Sequence, residues 1–330
     1  MARTLKSDRL LFLTTLVLVA ASVVMVYSAS NVLAMQKYGR PNLFLIKQLM
    51  FSVLGLAEMF VAMAVDYRMY RNPRVVWTVV GCTVLALAAV LERRMDRIND
   101  LKYSLGPIAL LLMVTLGLIL KQPDFGSAMA ILAIVAVMVF SAGLSYGYFA
   151  GLAAVAVPLV AVVAILEPYR MRRLMAFWNP WEDQRRDGFQ VVQSLIAVGT
   201  GGVTGRGLGY SVQKLFYLPY PHTDFIYAVV AEELGLIGAT LILACFCVMT
   251  WRGLRIVSRA PDAFGSFLAL GLTAMIAVQA FVNMSVVLGL LPTKGIPLPF
   301  VSAAGSSLIV SLAGMGVLLN ISQRAADSTT

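Results

Sequence analysis

His222, Asp224, Glu232 and Glu233 fall within one short stretch, Leu218 to Gly238 (LPYPHTDFIYAVVAEELGLIG), which holds the chain's only histidine. Tyr220, Pro221 and His222 suit a helix entrance rather than its interior, Thr223 or Asp224 is a good N-cap, and the apolar run from Phe225 encloses both glutamates. A carboxylate at the mouth of a partly desolvated cavity holds its proton more tightly than in water and can act as general base on a hydroxyl. A plain helix cap accounts for Asp224 equally well, although Asn or Ser would serve there too. A lone histidine is more often a structural hydrogen-bonding group than a ligand, so His222 alone does not predict a metal site.

Other polar groups interrupt apolar sequence. Asp124, in KQPDFG (Lys121 to Gly126), follows a proline at the start of an apolar run. It reads either as an N-cap or, with Lys121, as lining of an outward polar cavity. Lys294 sits in a proline-rich turn, LPTKGIPLPF (Leu291 to Phe300), and broken backbone at membrane depth is tolerated where it lines a cavity. Arg170, Arg172 and Arg173 would anchor in lipid headgroups or clamp a phosphate-bearing lipid. The glycine run GTGGVTGRGLG (Gly199 to Gly209) has no preceding strand and no following Walker lysine. It therefore predicts a tight, flexible turn at the membrane surface, with backbone N–H groups to offer a pyrophosphate, rather than a nucleotide loop.

The elements that must position these groups are membrane helices. Of 330 residues, 60% are hydrophobic and only 13% charged, which describes an all-α polytopic membrane protein and not a soluble domain. The net charge of +10 resides in short clusters between apolar spans, as in cytoplasmic loops, so nucleic acid is not an expected partner. Cys82, Cys245 and Cys247 lie in apolar spans without metal-ligand spacing and read as small buried hydrophobes.

Nine spans are expected: Leu10 to Tyr27, Leu45 to Val65, Val75 to Leu91, Leu105 to Leu120, Ser127 to Ser141, Leu144 to Leu166, Phe225 to Trp251, Phe264 to Leu290 and Ser302 to Ile321. The first is read as a retained helix, not a cleaved signal. Basic residues before the first span and after the second place both ends of that hairpin in the cytoplasm, and ERRMDRINDLK (Glu92 to Lys102) wants the same side. One crossing is then missing: either a helix is absent between Leu91 and Glu92, which is the preferred reading, or the third segment does not fully cross. The remaining loops alternate, with Ala142–Gly143 and Arg252 to Arg259 inside, and Glu167 to Thr223 outside as a functional loop of about 57 residues. Within that loop Phe189 to Val198 is expected to form a short interfacial helix begun at Asp187–Gly188 and ended by Gly199, with Trp178 and Trp181 at headgroup level.

Over nearly its whole length the chain resembles the SEDS family, the FtsW and RodA class of bacterial cell-wall polymerases. The resemblance rests on VYSAS (Val26 to Ser30), DRINDLKYSLGP (Asp96 to Pro107), KQPDFGSA (Lys121 to Ala128), NPW (Asn179 to Trp181), DGFQVVQSLIAVGTGG (Asp187 to Gly202), HTDFIYAVVAEELGLIG (His222 to Gly238) and GLLPTKGIPLPFVS (Gly289 to Ser302). SVQKLFYLP before His222 and TKG at Thr293 to Gly295 are more like the FtsW branch. The chain departs from the family in lacking a QPSE-type stretch near the missing crossing, and in reading SAAGS at Ser302 to Ser306 where SYGGS is common.

The resemblance implies ten spans with both termini cytoplasmic, in the inner membrane at the division septum, and one integral-membrane domain over residues 1–330. It implies a peptidoglycan glycosyltransferase that polymerises lipid II and releases undecaprenyl pyrophosphate, with Asp224 as catalytic base. Lys121, Asp124, Arg172, Arg173, Gln193, His222, Glu232 and Lys294 are the expected substrate-binding residues. A divalent cation, Mg or Mn, bridging the phosphates is compatible with this chemistry, the metal ligands are unassigned, and no organic cofactor is expected. Expected partners are a class B penicillin-binding protein and other division proteins. Two competing readings are a lipid II transporter and a non-enzymatic division scaffold, since intramembrane charges and broken helices suit transport as well as catalysis.

Overall fold

In the computed structural model, residues 7–71, 83–121, 124–182, 188–215, 218, 221–293 and 295–327 are described, and among them there is helix and loop but no strand. The helices in chain order are α1 (Arg9–Tyr38), α2 (Leu43–Ala64), α3 (Thr83–Arg94), α4 (Gly106–Lys121, led in by a π-turn at Leu101–Leu105), α5 (Phe125–Ser141) and α6 (Tyr146–Ile165). They continue with α7 (Pro168–Trp178), α8 (Phe189–Gly201), α9 (Ile226–Val257), α10 (Ala263–Val287) and α11 (Gly305–Asp327). Among the described residues, seven segments are long and apolar enough to cross a bilayer: α1, α2, Leu101–Lys121, α6, α9, α10 and α11. The other two expected spans correspond to α5, of 17 residues, and to α3, of 12, which follows residues 72–82 outside the described set.

The chain carries its own start and stop signals. Asp8 caps α1 by accepting from Leu11 N at 3.1 Å, and α1 runs past the expected Tyr27 until Gly39, whose φ of 66° ends it. The core is built where α11 packs along α2, α9 against α10, α8 and α1, and α10 against α3 and α5. α6 is the outlying helix. Its apolar side chains, Val155 and Val157 among them, face outward, as lipid-facing residues do.

Ion pairs gather the loops at one end of the bundle. Arg252 bonds Asp8 at 2.6 Å, Asp8 N donates to Ser322 Oγ at 3.2 Å, Arg324 pairs with Asp66 at 2.9 Å, and Tyr67 Oη donates to Asp262 at 2.9 Å. The first helix, the loop after α2, the α9–α10 loop and the end of α11 therefore meet, as the distribution of basic residues predicts. Likewise Ser145 N donates to Asn99 Oδ1 at 2.9 Å, joining the Glu92 to Lys102 cluster to the Ala142–Gly143 turn.

The described residues of the 167–223 loop include two helices. α8 runs to Gly201, two residues beyond the expected stop at Gly199, because the chain turns out of helix at Gly202, φ 55°. α7 has no counterpart among the expected elements; it begins with Pro168 in its first turn, where the missing N–H costs nothing, and ends at the exposed Trp178.

Candidate active site

The segment His222 to Asp224 leaves its carbonyls without helical partners because Pro221 precedes it and α9 starts only at Ile226. Each carbonyl is taken by the C-terminal third of the chain. Ala303 N donates to His222 O at 2.9 Å, Ser302 Oγ to Thr223 O at 2.6 Å, and Asn283 Nδ2 to Asp224 O at 2.8 Å. The same donors hold the proline-rich turn: Asn283 Nδ2 also reaches Ile296 O at 2.8 Å, and Ser302 Oγ accepts from Leu298 N at 2.8 Å. Phe300, with φ 62°, is the one non-glycine among the described residues with positive φ, so this turn is held in a conformation side chains seldom adopt.

The Asp224 side chain faces the turn, where a Cβ added at Gly295 would stand 3.2 Å from Oδ2. Half-buried, its carboxyl is pushed up from the usual aspartate value by burial, and the Arg173 guanidinium opposes that shift. The other acids do not cause it. Glu232 and Glu233 lie eight and nine residues further along, about 12 Å by helix rise, and each is engaged elsewhere. Asp224 does not cap α9 either: the N-cap is Phe225, with no side-chain cap bond. Arg173, on α7, is fixed by donating from Nη1 to Thr293 O at 3.3 Å. His222 is buried against Phe44, ring centroids 4.7 Å apart; burial lowers its pKa and favours the neutral ring.

Glu232 was expected at the substrate, but its carboxylate is enclosed by protein. It accepts from Ser211 Oγ at 2.5 Å, Val212 N at 2.9 Å and Arg206 Nη1 at 3.3 Å. Glu233 accepts from Lys214 Nζ at 2.8 Å and Ser28 Oγ at 2.6 Å. The glycine run explains why two acids can sit there. α9 breaks at Gly235 (φ 66°, ψ −163°), and the freed backbone pairs with the run: Arg206 N to Glu232 O at 3.0 Å, Gly207 N to Glu233 O at 2.9 Å, Leu236 N to Gly202 O at 2.9 Å. A Cβ at Gly235 would collide with Gly205 N and Val203 O. The expected flexible turn is thus a strap tied across a helix break, and its Arg206 and Gly207 amides are not available to a pyrophosphate.

Asp124 follows its simpler reading, capping α5 through Ser127 N at 3.0 Å and Ser127 Oγ at 2.6 Å, and it is exposed, as is Lys121. Gln193 is half-buried on α8, and Arg172 is exposed on α7 beside Arg173. Lys121, Asp124 and Gln193 form no bond to the Asp224 cradle among the described residues. Lys294 and the Arg170 side chain lie outside the described residues, yet Thr293 and Gly295 on either side of Lys294 both reach the site. Asn283, Ser302 and Lys214 are the residues the sequence reading missed. An Asn and a Ser amid apolar sequence, each beside the proline-rich turn, were the available signal. For a metal, no group of three or more His, Cys, Asp or Glu is assembled among the described residues. The donors present do not make a cation site by themselves.

The FtsW/RodA/SpoVE model, described as cell cycle protein, matches residues 8–87 and 78–327. The chain belongs to this family. As a member of the FtsW/RodA/SpoVE family it is 40% identical over 356 residues to the probable peptidoglycan glycosyltransferase FtsW of Geobacter metallireducens, covering 96% of this chain and 95% of the relative. It is 39% identical over 354 residues to stage V sporulation protein E of Bacillus subtilis, covering 96% and 97%. Both aligned lengths exceed the 330 residues here, so both relatives carry positions without a counterpart. Among solved structures, a chain of a peptidoglycan synthase complex, studied for coordination of polymerization and crosslinking, superposes with TM-score 0.76 at 27% identity over 97% of this chain and 99% of that one. RodA, the rod shape determining protein of Thermus thermophilus, shares the fold at TM-score 0.66 and 23% identity over 97% of each chain.

Proposed function

We propose that this chain is a peptidoglycan glycosyltransferase that polymerises lipid II at the outer face of the cytoplasmic membrane, with Asp224 as general base. A GlcNAc 4-hydroxyl attacks C1 of the donor sugar, the new C1–O bond forms as the C1–O bond to the lipid pyrophosphate breaks, and the electron pair leaves on the pyrophosphate oxygen. The hydroxyl proton passes to the Asp224 carboxylate. The observation that carries this reading is a carboxyl pushed up by burial, with its own carbonyl held by Asn283 and that of the preceding Thr223 by Ser302, and a guanidinium acting on it. A base works best with its pKa near the operating pH, and a cation beside it suits a departing pyrophosphate. Arg173 is the leading candidate for that charge, with Arg172 beside it and Lys294 next in the sequence after Thr293.

The relatives named FtsW support a role in division, and the synthase-complex neighbour supports a class B penicillin-binding protein as partner that crosslinks the product. The start of α1 and the end of α11 meet at the basic end of the bundle, which by the positive-inside rule supports cytoplasmic termini. A family helix absent between Leu91 and Glu92 would supply the crossing that the basic Glu92 to Lys102 cluster calls for. The test is purified protein with its partner, given lipid II and resolved for glycan polymer on a gel. Polymer supports the reading; lipid II crossing vesicle bilayers with no polymer formed would assign transport instead.

A further inference from the structure

The end of the bundle away from Asp224, where the start of α1 meets the end of α11, contains a cavity of about 700 Å³. Four arginines line it: Arg9 from α1, Arg252 and Arg255 from the last turns of α9, and Arg259 just beyond. Spacing of three and four residues stacks the α9 pair and Arg259 along one side of that helix end. Asp8 is the single acid among the described residues lining the cavity, and it is spent. One oxygen accepts from Leu11 N and the other is held by Arg252 at 2.6 Å. Arg9, Arg255 and Arg259 form no ion pair among the described residues, so the cavity concentrates positive charge that its described lining does not offset. Ser7, Ser258 and Ser322 add hydroxyls to the wall.

From this geometry we propose that the cavity binds the phosphodiester headgroup of an anionic phospholipid. Guanidinium forks present paired N–H donors that match phosphate oxygens bidentately, and hydroxyls complete such a shell. A lipid, rather than a free anion, is indicated by what lies alongside. Trp251 is 56% exposed and stacked with the Arg252 guanidinium at 5.4 Å, and Leu254 is exposed one turn on. An indole of this kind sits where headgroups meet acyl chains, so the cavity opens at headgroup depth. Ordinary positive-inside bias explains basic residues in this loop, but not their convergence from two chain segments on one cavity with a neutralised acid. The inference is independent of the reaction at Asp224.

The test titrates delipidated full-length protein in neutral detergent with phosphatidylglycerol, phosphatidylethanolamine and inorganic phosphate, reading bound lipid by native mass spectrometry. Saturable phosphatidylglycerol binding is expected, with phosphatidylethanolamine and phosphate weak, and Arg255→Gln with Arg259→Gln should weaken it roughly 25-fold. Arg255→Lys with Arg259→Lys keeps the charge and loses the forks, and should still weaken binding several-fold. This pair decides the matter if the Gln pair fails to accumulate. Wild-type affinity in the Lys pair would mean diffuse surface attraction and overturn the site; so would displacement of the lipid by low-millimolar phosphate.

Discussion

Asn283 Nδ2 donates to two backbone carbonyls at once, those of Asp224 and Ile296, each at 2.8 Å. One side chain on α10 therefore sets the distance between the proposed base and the turn that faces it. Asn283→Ala should cost about 1–3 kcal/mol of stability through two orphaned carbonyls. In the protein that folds, kcat should fall about tenfold or more while KM changes little, because the base is misplaced rather than the substrate site removed. Thermal unfolding and steady-state polymerisation measure the two effects separately. A loss of stability with unchanged kcat would make Asn283 purely structural.

Arg173 opposes the upward push of burial on Asp224. The base must be ionised to accept a proton, so activity falls as pH drops through its pKa. Removing the guanidinium raises that pKa further, and Arg173→Gln should shift the acid limb of the pH–rate profile to higher pH, whereas Arg173→Lys should shift it less. An acid limb at the same pH in all three proteins would show that Arg173 does not act on the titrating group.

Lys214 and Glu233 form a pair at 2.8 Å with side chains 3% and 0% exposed. Removing one partner strands a buried charge, so Lys214→Met or Glu233→Gln should each cost about 3–5 kcal/mol, while the double variant recovers a large part of the loss. A double-mutant cycle by thermal unfolding gives the coupling. Additive losses would contradict a closed pair and point to some other partner for either group.

How much of this was legible in the sequence depends on whether the signal was local. The spans from Leu45 and Phe264 matched their helices within a few residues because apolar length alone sets them. Asp124 could be read as a cap since its partner, Ser127, is three residues away. The surroundings of Glu232 were not legible, because what encloses it is a segment some 20 residues earlier, led there by the strap across the α9 break at Gly235. The Asp224 cradle was hidden for the same reason: Asn283 and Ser302 are 59 and, to Thr223, 79 residues distant. Proline at 221 and the prolines of the facing turn signalled broken backbone, but not which side chains would satisfy it.

The central claim is that Asp224 takes the proton of the attacking hydroxyl. Asn at this position keeps the size and the backbone bond to Asn283, and loses only the proton acceptor. The most direct measurement is polymerisation of lipid II by Asp224→Asn in complex with its partner, with membrane level and partner binding checked in the same preparation. A fall of about 10²- to 10⁴-fold in rate with both controls unchanged is the expected result; polymer at near wild-type rate would contradict it.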